Sequence, residues 1–176
     1  MNRLVVISGC SSGGKSTLVE ELSNRGYEVV EEPGRRIIAE ERRDGGIALP
    51  WKDPEAFLRR AIELAQYDIT QLSGSGRWAF CDRGLVDSAA GLAHLTGEPI
   101  STHLGSELTY HRKVFLTPPW PEIYVNDEDR QHPLSDAVQE YERLLEVYPS
   151  VGYELVIVPK TDVRTRADFV LRHLGE

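Results

Sequence analysis

Residues able to do chemistry concentrate near the N-terminus, in a glycine-rich loop that carries a lysine and several hydroxyl side chains. The residues from Gly9 to Ser16 have the pattern G-x-x-x-x-G-K-S, which is typical of a phosphate-binding P-loop. Glycines let such a loop turn its N–H groups toward an anion, and the following helix adds its positive dipole end. Lys15 would contact the β- and γ-phosphates, and the Ser16 hydroxyl would bind Mg²⁺. The predicted nucleotide-binding residues are Gly9, Cys10, Ser11, Ser12, Gly13, Gly14, Lys15, Ser16 and Thr17.

A second pair of candidate residues, Asp82 and Arg83, directly follows the apolar run 78–81. A carboxylate at that position can hold Mg²⁺ or accept the proton of an attacking hydroxyl, which makes Asp82 a candidate catalytic and metal-binding residue. The alternative is an ordinary helix-capping or turn aspartate. Arg83 would extend into an acceptor site and bind an anionic group there, unless it is a surface arginine.

Four charged residues follow the second predicted strand and are candidates for binding the acceptor. Side chains alternate in direction along a strand, so one of Glu31 and Glu32 should face the pocket, where a carboxylate would bind sugar hydroxyls or Mg²⁺. Arg35 and Arg36 lie at the start of a predicted helix. The helix dipole disfavours cations at that end, so a role in acceptor binding is one reason for their presence.

Arg130 is the only arginine or lysine between Pro118 and Pro133. In a kinase this polar segment would form a lid, and a lid arginine would neutralise charge on the phosphoryl group in transfer. The alternative is a solvated arginine paired with its acidic neighbours.

The pattern of apolar runs and turn residues determines how these candidates must be positioned. We predict strands over 4–7, 27–31, 78–81, 113–116 and 155–158. Between them we predict helices over 15–24, 35–43, 86–95 and 101–110, and helices capped by Asp53, Ser135 and Asp162. Short apolar strands alternating with helices indicate a three-layer α/β fold, with a five-stranded parallel sheet covered on both faces. Ligands of such sheets bind at the carboxyl ends of the strands, where the candidate residues lie.

Length and composition restrict the classes of function. A chain of 176 residues suits one domain, 1–176, with a short lid over 118–133. A net charge of −8 argues against a nucleic-acid partner, which needs a basic surface. No apolar run approaches the roughly 18 residues of a membrane span, and no signal peptide is evident, so we expect a cytoplasmic protein. We expect this protein to be a monomer or a homodimer. Cys10 and Cys81 end predicted strands and are expected to be buried free thiols.

Several motifs resemble known families. The stretch from Asp82 to Gly91 resembles the D-R-x-x-x-S-x-x-A region of thymidylate kinases, and Glu32-Pro33-Gly34 resembles their R-E-P-G loop. Glu31 stands where that loop has arginine, which weakens the prediction of a monophosphate acceptor. The chain resembles more closely a small AAA-labelled P-loop family related to ribosylnicotinamide kinases, through motifs at Ile7–Leu18, Val29–Glu32, Asp82–Asp87, Val114–Trp120, Asn126–Arg130 and Gly152–Pro159.

This resemblance implies a P-loop kinase domain with strand order 2-3-1-4-5 that uses ATP or GTP with Mg²⁺. The leading hypothesis is therefore transfer of the γ-phosphate of ATP to a small nucleoside-, nucleotide- or vitamin-like acceptor. The alternatives are a regulatory nucleotide-binding ATPase or GTPase, and a simple hydrolase, neither of which has a small-molecule acceptor. The guanine-binding N-K-x-D and the switch motif D-x-x-G do not occur in the sequence.

Overall fold

A five-stranded parallel sheet lies at the centre of the computed structural model, which describes residues 3–11, 13–72, 76–105, 108–123 and 134–176. The strands are β1 (Leu4–Gly9), β2 (Glu28–Val30), β3 (Ala79–Asp82), β4 (Lys113–Thr117) and β5 (Glu154–Ile157). Their order is β2-β3-β1-β4-β5, which confirms the predicted topology. In the register, Ile7 of β1 pairs with Asp82 of β3 and with Phe115 of β4, so the P-loop and Asp82 emerge at one edge of the sheet.

Six α-helices connect and cover these strands in the described residues. They are α1 (Lys15–Asn24), α2 (Pro33–Asp44), α3 (Pro54–Leu72), α4 (Leu85–Thr96), α5 (Leu134–Ser150) and α6 (Val163–Leu174). Short 3₁₀ turns occur at Ile100–Thr102 and Pro121–Ile123. No helix in the described part of the chain combines the length and the apolar character needed to cross a membrane.

Alternating residues of β1 supply both layers of the core, as expected for a strand buried on two faces. Leu4 and Val6 pack with residues of α3, α4 and α5, whereas Val5 and Ile7 pack with residues of α1 and α6. The helices therefore cover both faces of the sheet, as predicted. Cys81 lies in the first of these layers as a buried free thiol, and its burial raises its pKa.

Two of the three predicted helix caps are confirmed. An Asp53 carboxylate oxygen accepts a hydrogen bond from the Ala56 N–H at 3.0 Å, and Asp162 accepts one from the Thr165 N–H at 3.0 Å. Ser135 instead lies inside α5, where its hydroxyl donates to Asp136.

The helix predicted over 101–110 is wrong. The described residues there form only the 3₁₀ turn Ile100–Thr102, followed by irregular chain. Tyr110 is buried, and its hydroxyl accepts a hydrogen bond from the Leu85 N–H at 2.9 Å. The N–H of His111 donates to the Leu4 carbonyl at 2.7 Å. These contacts extend the chain along the sheet, and tertiary contacts of this kind override the weak local preference for a helix.

Candidate nucleotide-binding and active site

The P-loop is packed closely against β4 and α6, which explains two of its glycines. Gly9 has φ 129°, and a Cβ added there would overlap the Thr117 carbonyl. Gly14 has φ 77°, and a Cβ there would lie 2.6 Å from Nη1 of Arg166. Positive φ and close backbone approach both favour glycine. The loop conformation therefore depends on residues far along the chain.

Lys15, the predicted catalytic lysine, is buried at the start of α1. Its side-chain amine donates to the Cys10 carbonyl at 2.6 Å, which folds the lysine back over the loop. Burial lowers the pKa of Lys15, and repulsion from Arg83 lowers it further. A phosphate entering the loop would supply a partner for this desolvated cation.

Ser16 and Asp82, the two predicted metal ligands, are in direct contact. The Ser16 hydroxyl donates to Oδ2 of Asp82 at 3.1 Å. The other carboxylate oxygen, Oδ1, is buried and has no hydrogen-bond partner among the described residues. Burial, followed by repulsion from Glu32, raises the pKa of Asp82. A buried carboxylate oxygen without a partner beside a hydroxyl suits Mg²⁺, which prefers oxygen ligands and completes its shell with phosphates and waters.

Arg83 adopts a left-handed backbone conformation, φ 67°, which is uncommon for a residue other than glycine. Its Nη1 and Nη2 donate to the two carboxylate oxygens of Glu140 at 2.6 and 3.3 Å. Its Nε lies 3.1 Å from Oε1 of Glu32. Burial acts to lower the pKa of Arg83, but attraction to these carboxylates raises it well above the usual range.

Asp87 is a buried residue that was assigned no role from the sequence, although it is the last residue of the motif Asp82–Asp87. Its Oδ1 accepts from the Ser8 hydroxyl at 2.5 Å, and its Oδ2 accepts from the Tyr148 hydroxyl at 2.6 Å and from the Gly84 N–H at 2.9 Å. Asp87 thereby joins β1, α4 and α5 directly beneath Arg83, whose Nη1 is 3.7 Å away.

The four charged residues after β2 separate into two pairs. Glu32 is half-buried, contacts Arg83 and lines the large cavity beside the P-loop, whereas Glu31 is exposed and does not line it. Arg35 also lines the cavity, with its Nε 3.4 Å from Glu32. Arg36 does not, because its side chain pairs with Asp68 of α3 at 2.6 Å. Only Glu32 and Arg35 are therefore placed to meet a ligand in that cavity.

The cavity has a volume of about 1010 Å³ and is lined by P-loop residues, by residues near α6 and by residues of α2, α3, α4 and α5. The α6 end is lined by Thr17, Trp120, Thr161, Asp162, Val163 and Arg166. The α4 end is lined by Glu32, Arg35, Ile38, Phe57, Leu58, Ala61, Arg83, Ser88, Ala90, Glu140, Arg143 and Leu144. The loop that would hold phosphates therefore shares one cavity with both groups of residues.

Arg166 of α6 is a site residue that the sequence analysis missed. Only 4% of its surface is exposed. Its Nη1 donates to the Gly14 carbonyl at 3.0 Å and its Nη2 to the Thr17 hydroxyl at 3.1 Å, while its guanidinium carbon lies 5.6 Å from the centre of the Trp120 ring. Among the described residues it has no carboxylate within ion-pair distance, and burial lowers its pKa. One signal was available, because Arg166 falls on the inward face of α6 with Ala167 and Val170.

Two predicted site residues, Ser12 and Arg130, lie outside the described residues. The predicted lid is described only as far as residue 123, where the turn Pro121–Ile123 follows Trp120. The role of Arg130 stays a prediction.

A family model described as an AAA domain matches residues 4–166. Comparison with curated protein sequences finds no match. The relation to ribosylnicotinamide kinases is not tested by these comparisons and stays a prediction.

Solved structures with the same fold include three kinases. The deoxyadenosine kinase of M. mycoides, with the products dCMP and dCDP bound, has a TM-score of 0.64 at 16% identity over 98% of each chain. The thymidylate kinase of Ehrlichia chaffeensis has a TM-score of 0.62 at 14% identity over 99% of each chain. The shikimate kinase of Acinetobacter baumannii, in complex with shikimate, has a TM-score of 0.56 at 16% identity over 99% of this chain and 94% of its own. The chain belongs to the AAA domain family whose model it matches, and it has the fold of these kinases.

Proposed function

We propose that the protein is a Mg²⁺-dependent kinase that transfers the γ-phosphoryl group of ATP to a hydroxyl of a small acceptor. The observation that carries this proposal is that the P-loop lines one cavity together with residues of α6 and with a larger set of residues from α2, α3, α4 and α5. At about 1010 Å³ the cavity is at the upper limit of small-molecule sites, which span about 300–1,000 Å³. A hydrolase needs room for the nucleotide and water, whereas a kinase needs room for a second substrate.

The nucleotide would occupy the P-loop and the α6 end. The loop N–H groups and Lys15 would bind the phosphates, and Ser16 and Asp82 would hold Mg²⁺, which neutralises phosphate charge when bound. Arg166 donates to the Thr17 hydroxyl and lies within cation–π distance of the Trp120 ring. These contacts suit the part of the nucleotide beyond the phosphates, because a guanidinium and an indole both stack on flat rings.

The acceptor would occupy the α4 end, with Glu32 as the proton acceptor. We assign the metal to Asp82, because its Oδ2 accepts a hydrogen bond from Ser16, the other predicted metal ligand. We assign the proton to Glu32, because Glu32 lines the cavity and Asp82 does not. The acceptor oxygen would form a bond to the γ-phosphorus as the bond between that phosphorus and the β–γ bridging oxygen breaks. The acceptor proton would move to the Glu32 carboxylate, and ADP would leave.

The comparisons support a kinase in general terms. Three structures with this fold are named as kinases of a nucleoside, a nucleotide and a small carbocyclic acid. Identities of 14–16% do not extend to the choice of acceptor. We take ATP as the phosphoryl donor, with GTP as the alternative, and we propose a relation to ribosylnicotinamide kinases on the basis of the shared sequence motifs.

The test incubates the protein with Mg²⁺, ATP and single acceptors from a panel of nucleosides, nucleotides and vitamin-like nucleosides. ADP release is followed together with transfer of labelled phosphate to the acceptor. We expect at least one acceptor to become phosphorylated, and we expect Lys15→Met to abolish transfer while the exposed Lys52→Met does not. If ADP release continues at the same rate with every acceptor and all the phosphate goes to water, the hydrolase alternative is favoured instead.

A further inference from the structure

We infer that the acceptor carries no phosphate group, and that Glu140 excludes such acceptors by occupying Arg83. This inference rests on the proposed function and specifies its acceptor. Arg83 is the cation that sequence reasoning would assign to an anionic acceptor. Its pairing with α5 removes it from that role.

The two Nη groups of Arg83 are already hydrogen-bonded within the protein, whereas its Nε lies within ion-pair distance of Glu32 without forming a hydrogen bond. Glu140 takes both Nη groups with its two carboxylate oxygens, and Glu32 lies 3.1 Å from Nε. Paired Arg–carboxylate contacts of this kind are among the strongest hydrogen bonds in proteins. A phosphate could take over the paired Nη contacts of Arg83 only by displacing Glu140, and the displaced carboxylate would remain beside it as a like charge.

The remaining cations of the α4 end are also balanced by carboxylates. Arg35 lies 3.4 Å from Glu32. Arg143, one turn beyond Glu140 on α5, attracts the same Glu140 carboxylate that Arg83 holds. Among the described residues of this end, the three arginines therefore face three carboxylates, Glu32, Asp87 and Glu140. No excess positive charge attracts an anion.

The side chains that line the α4 end indicate the polarity of the acceptor. Apolar side chains from α2, α3, α4 and α5 line it, namely Ile38, Phe57, Leu58, Ala61, Ala90 and Leu144. The polar groups that line the cavity beside them include the Ser88 hydroxyl, the Glu32 carboxylate, the His94 imidazole and the Gln139 amide. These surroundings suit an uncharged alcohol with an apolar ring, such as a nucleoside, rather than a nucleoside monophosphate.

The position of Glu140 also shows that Glu31 is not the residue that would exclude a phosphorylated acceptor. Glu31 replaces the arginine of the thymidylate-kinase loop, but its side chain is exposed and does not line the cavity. Anionic acceptors are therefore excluded by Glu140 on α5, which is far from Glu31 in the sequence. A sequence comparison restricted to the loop after β2 would wrongly assign this exclusion to Glu31.

The first test measures anion binding directly and does not require the acceptor to be known. Inorganic phosphate is titrated by calorimetry into protein saturated with Mg²⁺ and a non-hydrolysable ATP analogue, so that the P-loop is occupied. We expect no binding by the unmodified protein at millimolar phosphate, and about 10- to 100-fold tighter binding by Glu140→Gln, because this substitution keeps the side-chain shape and frees a charge-assisted donor. Glu142→Gln, an exposed glutamate on the same helix, removes the same charge and should change nothing.

Two outcomes of that titration would overturn the inference. One is phosphate binding by the unmodified protein at the α4 end, which needs no variant to be folded. The other is a folded Glu140→Gln protein, with unchanged affinity for the ATP analogue, that gains no affinity for phosphate. The double variant Arg83→Gln/Glu140→Gln should lose any gain, which would locate the phosphate on Arg83.

The second test compares matched acceptors, each nucleoside with its own 5′-monophosphate. We expect the unmodified protein to favour the nucleoside in kcat/KM, and Glu140→Gln to shift this ratio toward the monophosphate by at least tenfold. A preference of the unmodified protein for monophosphates would refute the inference while leaving the kinase proposal intact. Failure to phosphorylate any acceptor would count against the kinase proposal, and the phosphate titration would still decide the role of Glu140.

Discussion

Arg166 donates a hydrogen bond to the carbonyl of Gly14 at 3.0 Å and thereby fixes the last helix to the phosphate-binding loop. The same guanidinium holds the Thr17 hydroxyl at 3.1 Å and lies within cation–π distance of the Trp120 ring. A buried cation without a carboxylate partner is costly unless something else compensates it. A bound nucleotide would contribute to that compensation, because its base would add a cation–π contact and its phosphates in the adjacent P-loop would attract the guanidinium.

Replacing Arg166 should therefore weaken nucleotide binding. We expect Arg166→Gln to raise the Kd for Mg·ATP about tenfold, since it removes a charge-assisted contact worth roughly 1.5–3 kcal/mol. Arg166→Lys should recover only part of this affinity, because lysine lacks the planar guanidinium that lies near the Trp120 ring. Equilibrium binding by calorimetry measures both effects, with the exposed Arg164→Gln on the same helix as the control. A drop in melting temperature with unchanged ATP affinity would show that Arg166 is purely structural.

Gly14 and Gly97 offer a matched pair for testing the packing between the P-loop and α6. Their φ angles are 77° and 78°, but a Cβ at Gly14 would lie 2.6 Å from Arg166, whereas one at Gly97 would meet nothing within 4 Å. Gly97→Ala should cost only the left-handed backbone penalty of about 1–2 kcal/mol. Gly14→Ala should cost more and should also weaken ATP binding. Chemical denaturation measures the two free energies of unfolding, and equal losses would contradict the predicted clash with Arg166.

Removing the charge of Asp82 should impair the chemical step through the metal. We expect Asp82→Asn to lower kcat about 100-fold or more, as is typical when one electrostatic contact to a developing charge is lost, and to raise the Mg²⁺ concentration needed for half-maximal activity. The exposed Asp44→Asn should leave both quantities unchanged. Steady-state kinetics at varied Mg²⁺ make the measurement, and a kcat reduced to the same extent at every Mg²⁺ concentration would argue that Asp82 acts other than by holding the metal.

The pKa of Asp82 is raised and the pKa of Lys15 is lowered, which together predict a narrower pH range of activity. Burial raises the pKa of Asp82, so the active ionised carboxylate is lost as the pH falls through a value above the ordinary aspartate pKa of about 3.9. Burial lowers the pKa of Lys15, so its charge is lost as the pH rises through a value below the ordinary lysine pKa of about 10.4.

The profile of kcat/KM should therefore be bell-shaped within these limits. Higher Mg²⁺ should move the acid limb to lower pH, because a bound cation favours the ionised carboxylate. If the acid limb does not move with the Mg²⁺ concentration, the group that titrates there is not Asp82.

Much of the fold was predictable because its signals are local. The P-loop pattern lies between an apolar strand and a helix within 24 residues, and α1 begins and ends as the pattern predicts. Asp53 and Asp162 bind N–H groups three residues away, so their capping needs no other part of the chain. The central strands β1, β3 and β4 were found because buried parallel strands are continuously apolar. The segment 101–110 was misassigned because Leu85, which bonds to Tyr110, and Leu4, which bonds to the next residue, His111, are both distant in the sequence.

By itself, then, the sequence determined the phosphate-binding loop, the order of the elements and the sheet edge at which Asp82 and Arg83 emerge. Only the tertiary structure decided which side chains are available for a ligand. Arg83 pairs with a glutamate 57 residues away, and Arg166 reaches a glycine 152 residues away. It also showed that Glu32, rather than Glu31, faces the cavity. The physical reason is that ion pairs and buried hydrogen bonds depend on distances of a few ångströms, which topology sets and local sequence spacing does not.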